Sequence, residues 1–251
     1  PGAAGVSPRN LLNDPAWQGS DLGQPLPDSP HAVSVALPRW RDVIAYEDND
    51  PQCRSQLRAV YPRFAFHPYV AEVAQNALEK LPAGMASAGS SAWPYPNEAA
   101  AQLAQQHCRR QAPSACTQII DQLGLSVLLT DAQATPHAKA CWQHAGLGAS
   151  SRRAAISLGK ETAPAGGAAD QAKALVIERL ASIYGCDTQQ LSLHPSGMAA
   201  LHMALQSVTA LRPGRPTLQI GFPYVDVLKL PQVVFTGSEL LLDSSSAAVE
   251  A

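Results

Sequence analysis

Residues 191–206 read LSLHPSGMAALHMALQ, and this stretch decides how the C-terminal half of the chain is interpreted. The pattern predicts a short strand over residues 191–193, a break at the His-Pro pair, and a helix opened by Ser196, a preferred N-cap residue. Gly197 lets a ligand approach the backbone closely. The first N–H groups of such a helix have no internal partner and lie at the positive end of its dipole, so the turn can bind a phosphate-sized anion. The alternative interpretation is an ordinary serine-capped helix start.

The sequence around this stretch alternates helix and strand patterns. Residues 169–184 place their apolar side chains close to one helical face. Asp170 lies in the first turn, where a carboxylate suits the helix dipole, and Gly185 follows as a stop signal. Strands are predicted over residues 218–222 and 240–242. Helix and strand in this order favour an α/β layer with a largely parallel sheet.

An aromatic residue follows the strand predicted over residues 218–222. The sequence there is GFPYVD, from Gly221 to Asp226, and Tyr224 is expected at the carboxyl end of the strand. That end is the usual ligand-binding edge of an open α/β sheet, and an aromatic ring there can stack on a flat cofactor. The alternative is a tyrosine that packs at the rim of the core.

The first half of the chain has weaker patterns. Its first ~24 residues are irregular and rich in Pro, Gly, Asp and Ser. A shift in composition places a boundary near residue 147, which separates an N-terminal segment, residues 1–146, called the extension below, from residues 147–251. Within the extension we predict strands over 31–37 and 125–129, helices over 40–47, 70–81 and 98–112, an alternating run over 61–67, and a loop over 82–97.

Composition excludes several classes of protein. The 251 residues are 46% hydrophobic and carry a formal net charge of -2, which argues against a nucleic-acid-binding domain. No apolar run approaches the roughly 18–20 residues of a membrane span, and no signal peptide is visible, so we expect a cytoplasmic protein. The five cysteines form no CxxC pair, and no metal-binding spacing of Cys or His occurs, so we expect reduced thiols and no metal site.

Taken together, these residues resemble the pyridoxal-phosphate (PLP) enzymes of cysteine and methionine metabolism, the cystathionine γ-synthase family. The run SGMAA from Ser196 to Ala200 resembles the phosphate-binding turn of that family, and Tyr224 falls where its ring-stacking tyrosine is expected. Residues 25–42, 46–47 and 61–64 resemble the extra N-terminal region of the fungal-type enzymes. Residues 149–153, ASSRR, resemble their Ser-Ser-Arg segment.

The resemblance implies a role for each matching residue. In the turn opened by Ser196, Gly197 and Met198 would offer backbone N–H groups to the cofactor phosphate, and Tyr224 would stack on the pyridine ring. Arg152 would reach the phosphate of the neighbouring subunit's cofactor, where a guanidinium fork suits a phosphate dianion. The adjacent Arg153 is the alternative arginine for that contact.

The chain departs from the family pattern in two ways. Ser150 stands where many relatives have a tyrosine that takes part in substrate chemistry. In the family, the Schiff-base lysine and the acid that pairs with the pyridine nitrogen come well downstream of the SGM turn. The lysines of this chain all precede that position: Lys80, Lys139, Lys160, Lys173 and Lys229. The catalytic residues are therefore unknown, and we expect a chain stopping at Ala251 to be the N-terminal portion of a longer polypeptide that completes no turnover alone.

The resemblance also implies a fold and a function. The fold would be α/β, the aminotransferase-like large domain of fold-type I PLP-dependent transferases, present in part behind the extension. The parent enzyme would replace the γ-substituent of an O-activated homoserine with cysteine, giving cystathionine for methionine biosynthesis by transsulfuration. One alternative is an O-acyl-homoserine sulfhydrylase that makes homocysteine; another is a cofactor-incompetent binding or dimerisation partner. The expected partners are small amino-acid substrates and further copies of the chain, in a homodimer or homotetramer, with no nucleic acid and no membrane.

Overall fold

A computed structural model describes residues 10, 12–62 and 64–250 of the chain. The chain divides into two compact units between His67 and Pro68, each with its own internal contacts. Residues 68–146 of the predicted extension therefore lie in the same compact unit as the residues after 147. The predicted boundary at 147 concerns where the cofactor-binding domain begins, and it stays a prediction.

The first unit is small and built on a short strand pair and two helices. Strands β1 (Pro25–Leu26) and β2 (Ser34–Val35) pair antiparallel, and helices α1 (Trp40–Glu47) and α2 (Pro51–Gln56) pack together. The Arg39 guanidinium donates two hydrogen bonds to the Asp42 carboxylate, at 2.7 and 2.8 Å, and lowers the pKa of that carboxyl. Helix α1 confirms the predicted bounds. The predicted strand over 31–37 is reduced to β2, and no strand forms among the described residues of 61–67.

The core of the second unit is a three-stranded antiparallel sheet. Strands β3 (Ser91–Tyr95), β4 (Thr117–Gln122) and β5 (Leu125–Thr130) lie in the order β3-β5-β4, so β5 is central and buried. Leu123 and Gly124, with φ of 55° and 76°, form the turn between β4 and β5, a backbone conformation that suits a tight hairpin. The predicted strand over 125–129 is confirmed. The loop predicted over 82–97 is wrong for Ser91–Tyr95. These residues form β3, which is buried and pairs with β5.

Four helices complete this part of the second unit. They are α3 (Pro68–Leu78), α4 (Glu98–Gln111), α5 (Thr135–Ala145) and α6 (Ser151–Ser157). Helix α4 begins where expected because the Asn97 side chain accepts a hydrogen bond from the Ala100 N–H at 3.0 Å. Helices α3 and α4 pack on the sheet, and α5 packs against α4. Nothing in the sequence patterns predicted β4, α5 or α6.

The C-terminal half contains the two helices and two of the three strands that the sequence predicted, together with two helices that it did not predict. It contains α7 (Ala168–Tyr184), α8 (Gly197–Leu211), β6 (Thr217–Ile220), α9 (Val225–Val233), β7 (Ser238–Leu241) and α10 (Ser246–Glu250). Strands β6 and β7 pair in parallel, which confirms that part of the prediction. The antiparallel β3-β5-β4 sheet lies outside the stretch for which a parallel sheet was predicted. The strand predicted over 191–193 is wrong, because no strand within the described residues pairs with that segment.

The described residues form a mixed α/β structure with free thiols. Cys53, Cys108 and Cys141 are buried, Cys116 is exposed, Cys186 is half-buried, and none of the five forms a disulfide. No helix within the described residues has both the length and the apolar character needed to cross a lipid bilayer. The described part of the chain also brings together no group of three metal-ligating side chains.

Candidate functional site

The predicted phosphate-binding turn opens helix α8. Ser196 is the N-cap in extended conformation, and its Oγ accepts a hydrogen bond from the Ala199 N–H at 3.1 Å. Gly197 is exposed, and a Cβ atom added there would meet no atom within 4 Å apart from its chain neighbours and the backbone of its own helix. By their position in the first turn, the N–H groups of Gly197 and Met198 have no partner inside the helix. The serine cap thus leaves two adjacent donors at an open helix start, which suits the oxygens of a phosphate monoester.

Tyr224 lies between β6 and α9. The chain leaves β6 through Gly221, whose φ of 84° is in the left-handed region that favours glycine, and Tyr224 is the N-cap of α9. Tyr224 is 55% exposed, so its ring is not enclosed by the core. Helices α8 and α9 pack against each other, which ties the turn at Tyr224 to the helix that begins at Gly197. This arrangement matches the sequence expectation of an aromatic residue beyond the carboxyl end of a strand.

The two candidate arginines lie in the first turn of α6 and differ in their contacts. The Arg153 guanidinium donates to the Pro96 carbonyl at 3.4 Å within the same chain. Arg152 is exposed, and its guanidinium forms no hydrogen bond or ion pair within the described residues. Ser150 caps α6, with its Oγ accepting from the Arg153 N–H at 3.2 Å. Arg152 therefore has the more available guanidinium.

Sequence reasoning missed three residues that contact this region. Gly146 ends α5 with a φ of 66°, and a Cβ atom there would lie 2.8 Å from Ser196 Oγ, from Met198 Cβ and from the Ala199 nitrogen. His144, in the last turn of α5, places its Nδ1 3.3 Å from Oδ1 of Asp226 in the first turn of α9. The GFPYVD stretch contained Asp226, and Gly146 is a typical helix stop signal. Neither pattern indicated these tertiary contacts.

Two further histidines are buried beside this region. His107 in α4 and His202 in α8 are 1% and 2% exposed. Burial, together with the positive charge of Arg110, lowers the pKa of each imidazole to about 4. His202 lies against Phe235, with ring centroids 5.1 Å apart. In contrast, His194, the histidine next to the turn, pairs with the Ser192 hydroxyl at 3.0 Å.

The residues present fit part of a PLP site. The open start of α8 offers donors for a phosphate, and Tyr224 offers an exposed aromatic ring. Of the lysines, Lys160 pairs with Glu72 and lies 4.8 Å from the ring centre of Tyr69. The described residues thus offer two N–H donors and an exposed aromatic ring. The cofactor contacts expected of them stay predictions, and the lysine that would hold the cofactor covalently stays unassigned.

Comparison with known proteins supports the sequence resemblance. The chain is 33% identical over 216 residues to an L-2-amino-4-chloropent-4-enoate dechlorinase/desaturase of Streptantibioticus cattleyicolor, covering 82% of this chain and 42% of that protein. It is 29% identical over 161 residues to a cystathionine gamma-synthase of Neurospora crassa, covering 55% of this chain and 26% of the enzyme. It is 39% identical over 61 residues to a cystathionine gamma-synthase-like protein of Aspergillus thermomutatus, covering 24% of this chain and 11% of that protein.

The chain spans less than half the length of each of these curated relatives. No family model matches the chain. No solved structure matches it either. The SGM turn, the Ser-Ser-Arg segment and these matches agree, and the chain is therefore a homologue of the fungal cystathionine gamma-synthases.

Proposed function

We propose that this chain carries the phosphate-binding turn of a PLP-dependent transferase that acts on a γ-substituted amino acid, in the manner of a cystathionine γ-synthase. The observation that carries the proposal is the exposed, serine-capped start of α8, with open space at the Cβ position of Gly197, in a homologue of cystathionine gamma-synthases. The resemblance further favours the fold-type I architecture, with its large domain beginning near residue 147.

The proposed roles follow from what each residue can donate. The N–H groups of Gly197 and Met198 bind the cofactor phosphate, and the dipole of α8 stabilises its negative charge. Tyr224 covers one face of the pyridine ring. Bound PLP supplies an electron sink for charge that develops beside the amino-acid nitrogen. Arg152 of one subunit neutralises the phosphate bound by its neighbour, in a homodimer or homotetramer.

The names of the relatives narrow the substrate class. Cystathionine gamma-synthase is named for chemistry at the γ-carbon, and the dechlorinase/desaturase is named for a substrate with chlorine on carbon 4 of a 2-amino acid, which is the same position. We therefore propose an L-2-amino acid with a leaving group at the γ-carbon. An O-acyl-homoserine with cysteine as acceptor is the first candidate, and sulfide in place of cysteine gives the sulfhydrylase alternative.

The dechlorinase match supports a second candidate, removal of the γ-substituent without addition of a thiol. That relative aligns with more of this chain than the cystathionine gamma-synthases do. The two candidates differ in the product. Replacement leaves the new sulfur on the γ-carbon, whereas elimination leaves an unsaturated product.

The assay uses the protein expressed from its natural reading frame with PLP, an O-acyl-homoserine and either cysteine or sulfide. Parallel reactions contain the amino acid alone or its 4-chloro analogue. Cystathionine as the main product supports the proposal, homocysteine supports the sulfhydrylase, and an unsaturated product without added thiol supports elimination. A protein that binds no PLP and forms no product contradicts all three and favours a cofactor-incompetent binding or dimerisation partner.

The two adjacent arginines give a prediction with an internal control. We expect Arg152→Gln to weaken PLP binding by the assembled oligomer about tenfold, because a charge-assisted contact to phosphate is lost. Arg153→Gln should leave PLP affinity within about twofold of wild type, since its guanidinium already bonds to Pro96 in its own chain. Equilibrium dialysis of PLP measures both. Equal losses for the two variants would contradict the assignment of Arg152.

A further inference from the structure

The end of helix α5 reaches the phosphate-binding turn from within the predicted N-terminal extension. Helix α5 packs against both α8 and α9, the helices that begin next to the SGM turn and at Tyr224. Its last residues, 144–146, contact the first turn of each helix. We call these three residues the α5 terminus.

The first contact of the α5 terminus is with the SGM turn. A Cβ atom on Gly146 would stand 2.8 Å from three atoms of the turn, Ser196 Oγ, Met198 Cβ and the Ala199 nitrogen, so the backbone passes the turn with no room for a side chain. The Gly146 carbonyl lies 3.5 Å from Ser196 Oγ, the atom that caps α8. Since Gly146 also has a φ of 66°, glycine satisfies both the backbone conformation and the close approach.

The second contact is with the turn that carries Tyr224. His144 Nδ1 and Asp226 Oδ1 lie 3.3 Å apart, and their side chains are only 11% and 3% exposed. Asp226 follows Tyr224 by two residues and lies in the first turn of α9. This close approach of two buried polar side chains, which is an ion pair when the imidazole is protonated, joins the end of α5 to the start of α9.

We propose that the α5 terminus is a positioning element for the cofactor site: Gly146 sets the phosphate-binding turn, and His144 sets the turn of Tyr224 through Asp226. The inference rests on the proposed function in one respect, the identity of the ligand at Gly197 and Met198. It assigns the extension a direct part in shaping that site. One short segment holds both the phosphate donors and the ring-stacking tyrosine, so their separation is fixed by a single helix end.

The test compares two glycines with the same backbone strain. Gly146 and Gly159 have φ of 66° and 69°, but a Cβ on Gly159 meets nothing within 4 Å. Both alanine substitutions introduce the same backbone strain. Only Gly146→Ala also introduces a collision with the SGM turn. We expect Gly146→Ala to weaken PLP binding at least about tenfold relative to Gly159→Ala, because the collision displaces the N–H donors of the SGM turn.

The measurement is a titration of each folded variant with PLP, followed by the amide chemical shifts of Gly197 and Met198, after circular dichroism has established that both variants are folded. If wild type binds PLP and Gly146→Ala and Gly159→Ala bind it with equal affinity, the positioning role is overturned and the proposed function stands. No response in wild type would contradict the proposed function instead. In that case, hydrogen exchange at the Ala199 amide decides the positioning role, with exchange faster in Gly146→Ala than in Gly159→Ala as the expected result and equal rates as the contrary one.

The His144 contact has its own test. His144→Asn keeps a nitrogen donor close to the position of ring Nδ1, whereas His144→Leu does not. We expect His144→Leu to shift the Tyr224 ring resonances and to weaken PLP binding. In His144→Asn, the resonances and the affinity for PLP should stay much closer to those of wild type. If His144→Asn has the stability of wild type but the Tyr224 resonances and PLP affinity of His144→Leu, His144 has a structural role only. That result would overturn this half of the proposal.

Discussion

Acidification from pH 6.5 to pH 4 is expected to lower the free energy of unfolding by about 3 kcal/mol for each of His107 and His202. Both side chains are almost fully buried in the second unit. Burial removes water from the imidazolium, which is the main cause of the low pKa, and the Arg110 guanidinium repels it as well. The folded protein therefore binds protons at these rings more weakly than the unfolded chain.

The sign follows from the direction of the shifts. Above the ordinary histidine pKa of 6.5, both states are neutral at these rings and stability is complete. Between 6.5 and about 4, the unfolded chain binds the extra protons, so stability falls as the pH falls. Acid is therefore expected to loosen the packing of α4 and α8, including the helix that carries the SGM turn.

Urea unfolding of wild type and of the His107→Leu/His202→Leu double variant, at several pH values across this window, tests the prediction. Leucine cannot be protonated, so the double variant should have a much flatter dependence of stability on pH. The comparison uses the slope with pH, so a constant cost of substitution in the double variant does not affect it. Parallel curves for the two proteins would contradict the assignment to these rings.

Replacing Leu128 with alanine is expected to cost about 3 kcal/mol of unfolding free energy, because it removes a buried side chain and leaves a cavity. Leu128 is 0% exposed in β5, the central strand, where it pairs with Trp93 on one side and Ile119 on the other. The surrounding sheet is held by both partner strands and by the Trp93 indole, which donates to Thr130 Oγ1 at 3.1 Å. Little relaxation into the cavity is expected.

The matched control is Leu123→Ala, at the turn between β4 and β5. Leu123 is 52% exposed, so the same chemical change should cost less than about 1 kcal/mol. Chemical denaturation of both variants, monitored by circular dichroism, gives the difference. Equal losses of stability for Leu128→Ala and Leu123→Ala would contradict the position of β5 at the centre of the core.

Local signals predicted the elements that local chemistry determines. Helix α8 begins as expected because a serine cap and a following apolar stripe lie within one short stretch, and α4 does so because Asn97 caps it. Strand β3 was missed because its sequence, SAWPY, lies in a stretch of small residues and prolines. Its burial arises from pairing with β5, far along the chain. The strand predicted over 191–193 failed for the opposite reason, since none of the strands in the described part of the chain pairs with it.

The candidate site likewise contains residues that short sequence patterns predicted and contacts that they did not. The SGM turn and Tyr224 follow from patterns of a few residues. The contact between Gly146 and Ser196 joins residues 50 apart in sequence, and His144 meets Asp226 across an even longer separation. A single sequence contains no signal for such pairs. The resemblance implied Arg152 with the adjacent Arg153 as the alternative, and the hydrogen bond from Arg153 to the Pro96 carbonyl is a structural difference between them.

The most direct test of the central claim is an NMR titration of this chain with PLP, with pyridoxal lacking the phosphate as the control ligand. The account predicts saturable shifts of the Gly197 and Met198 amides and of the Tyr224 ring with PLP. With pyridoxal, the amide shifts should be lost. PLP that leaves these resonances unchanged, or that shifts residues elsewhere in the chain, would contradict the assignment of the start of α8 as the cofactor phosphate site.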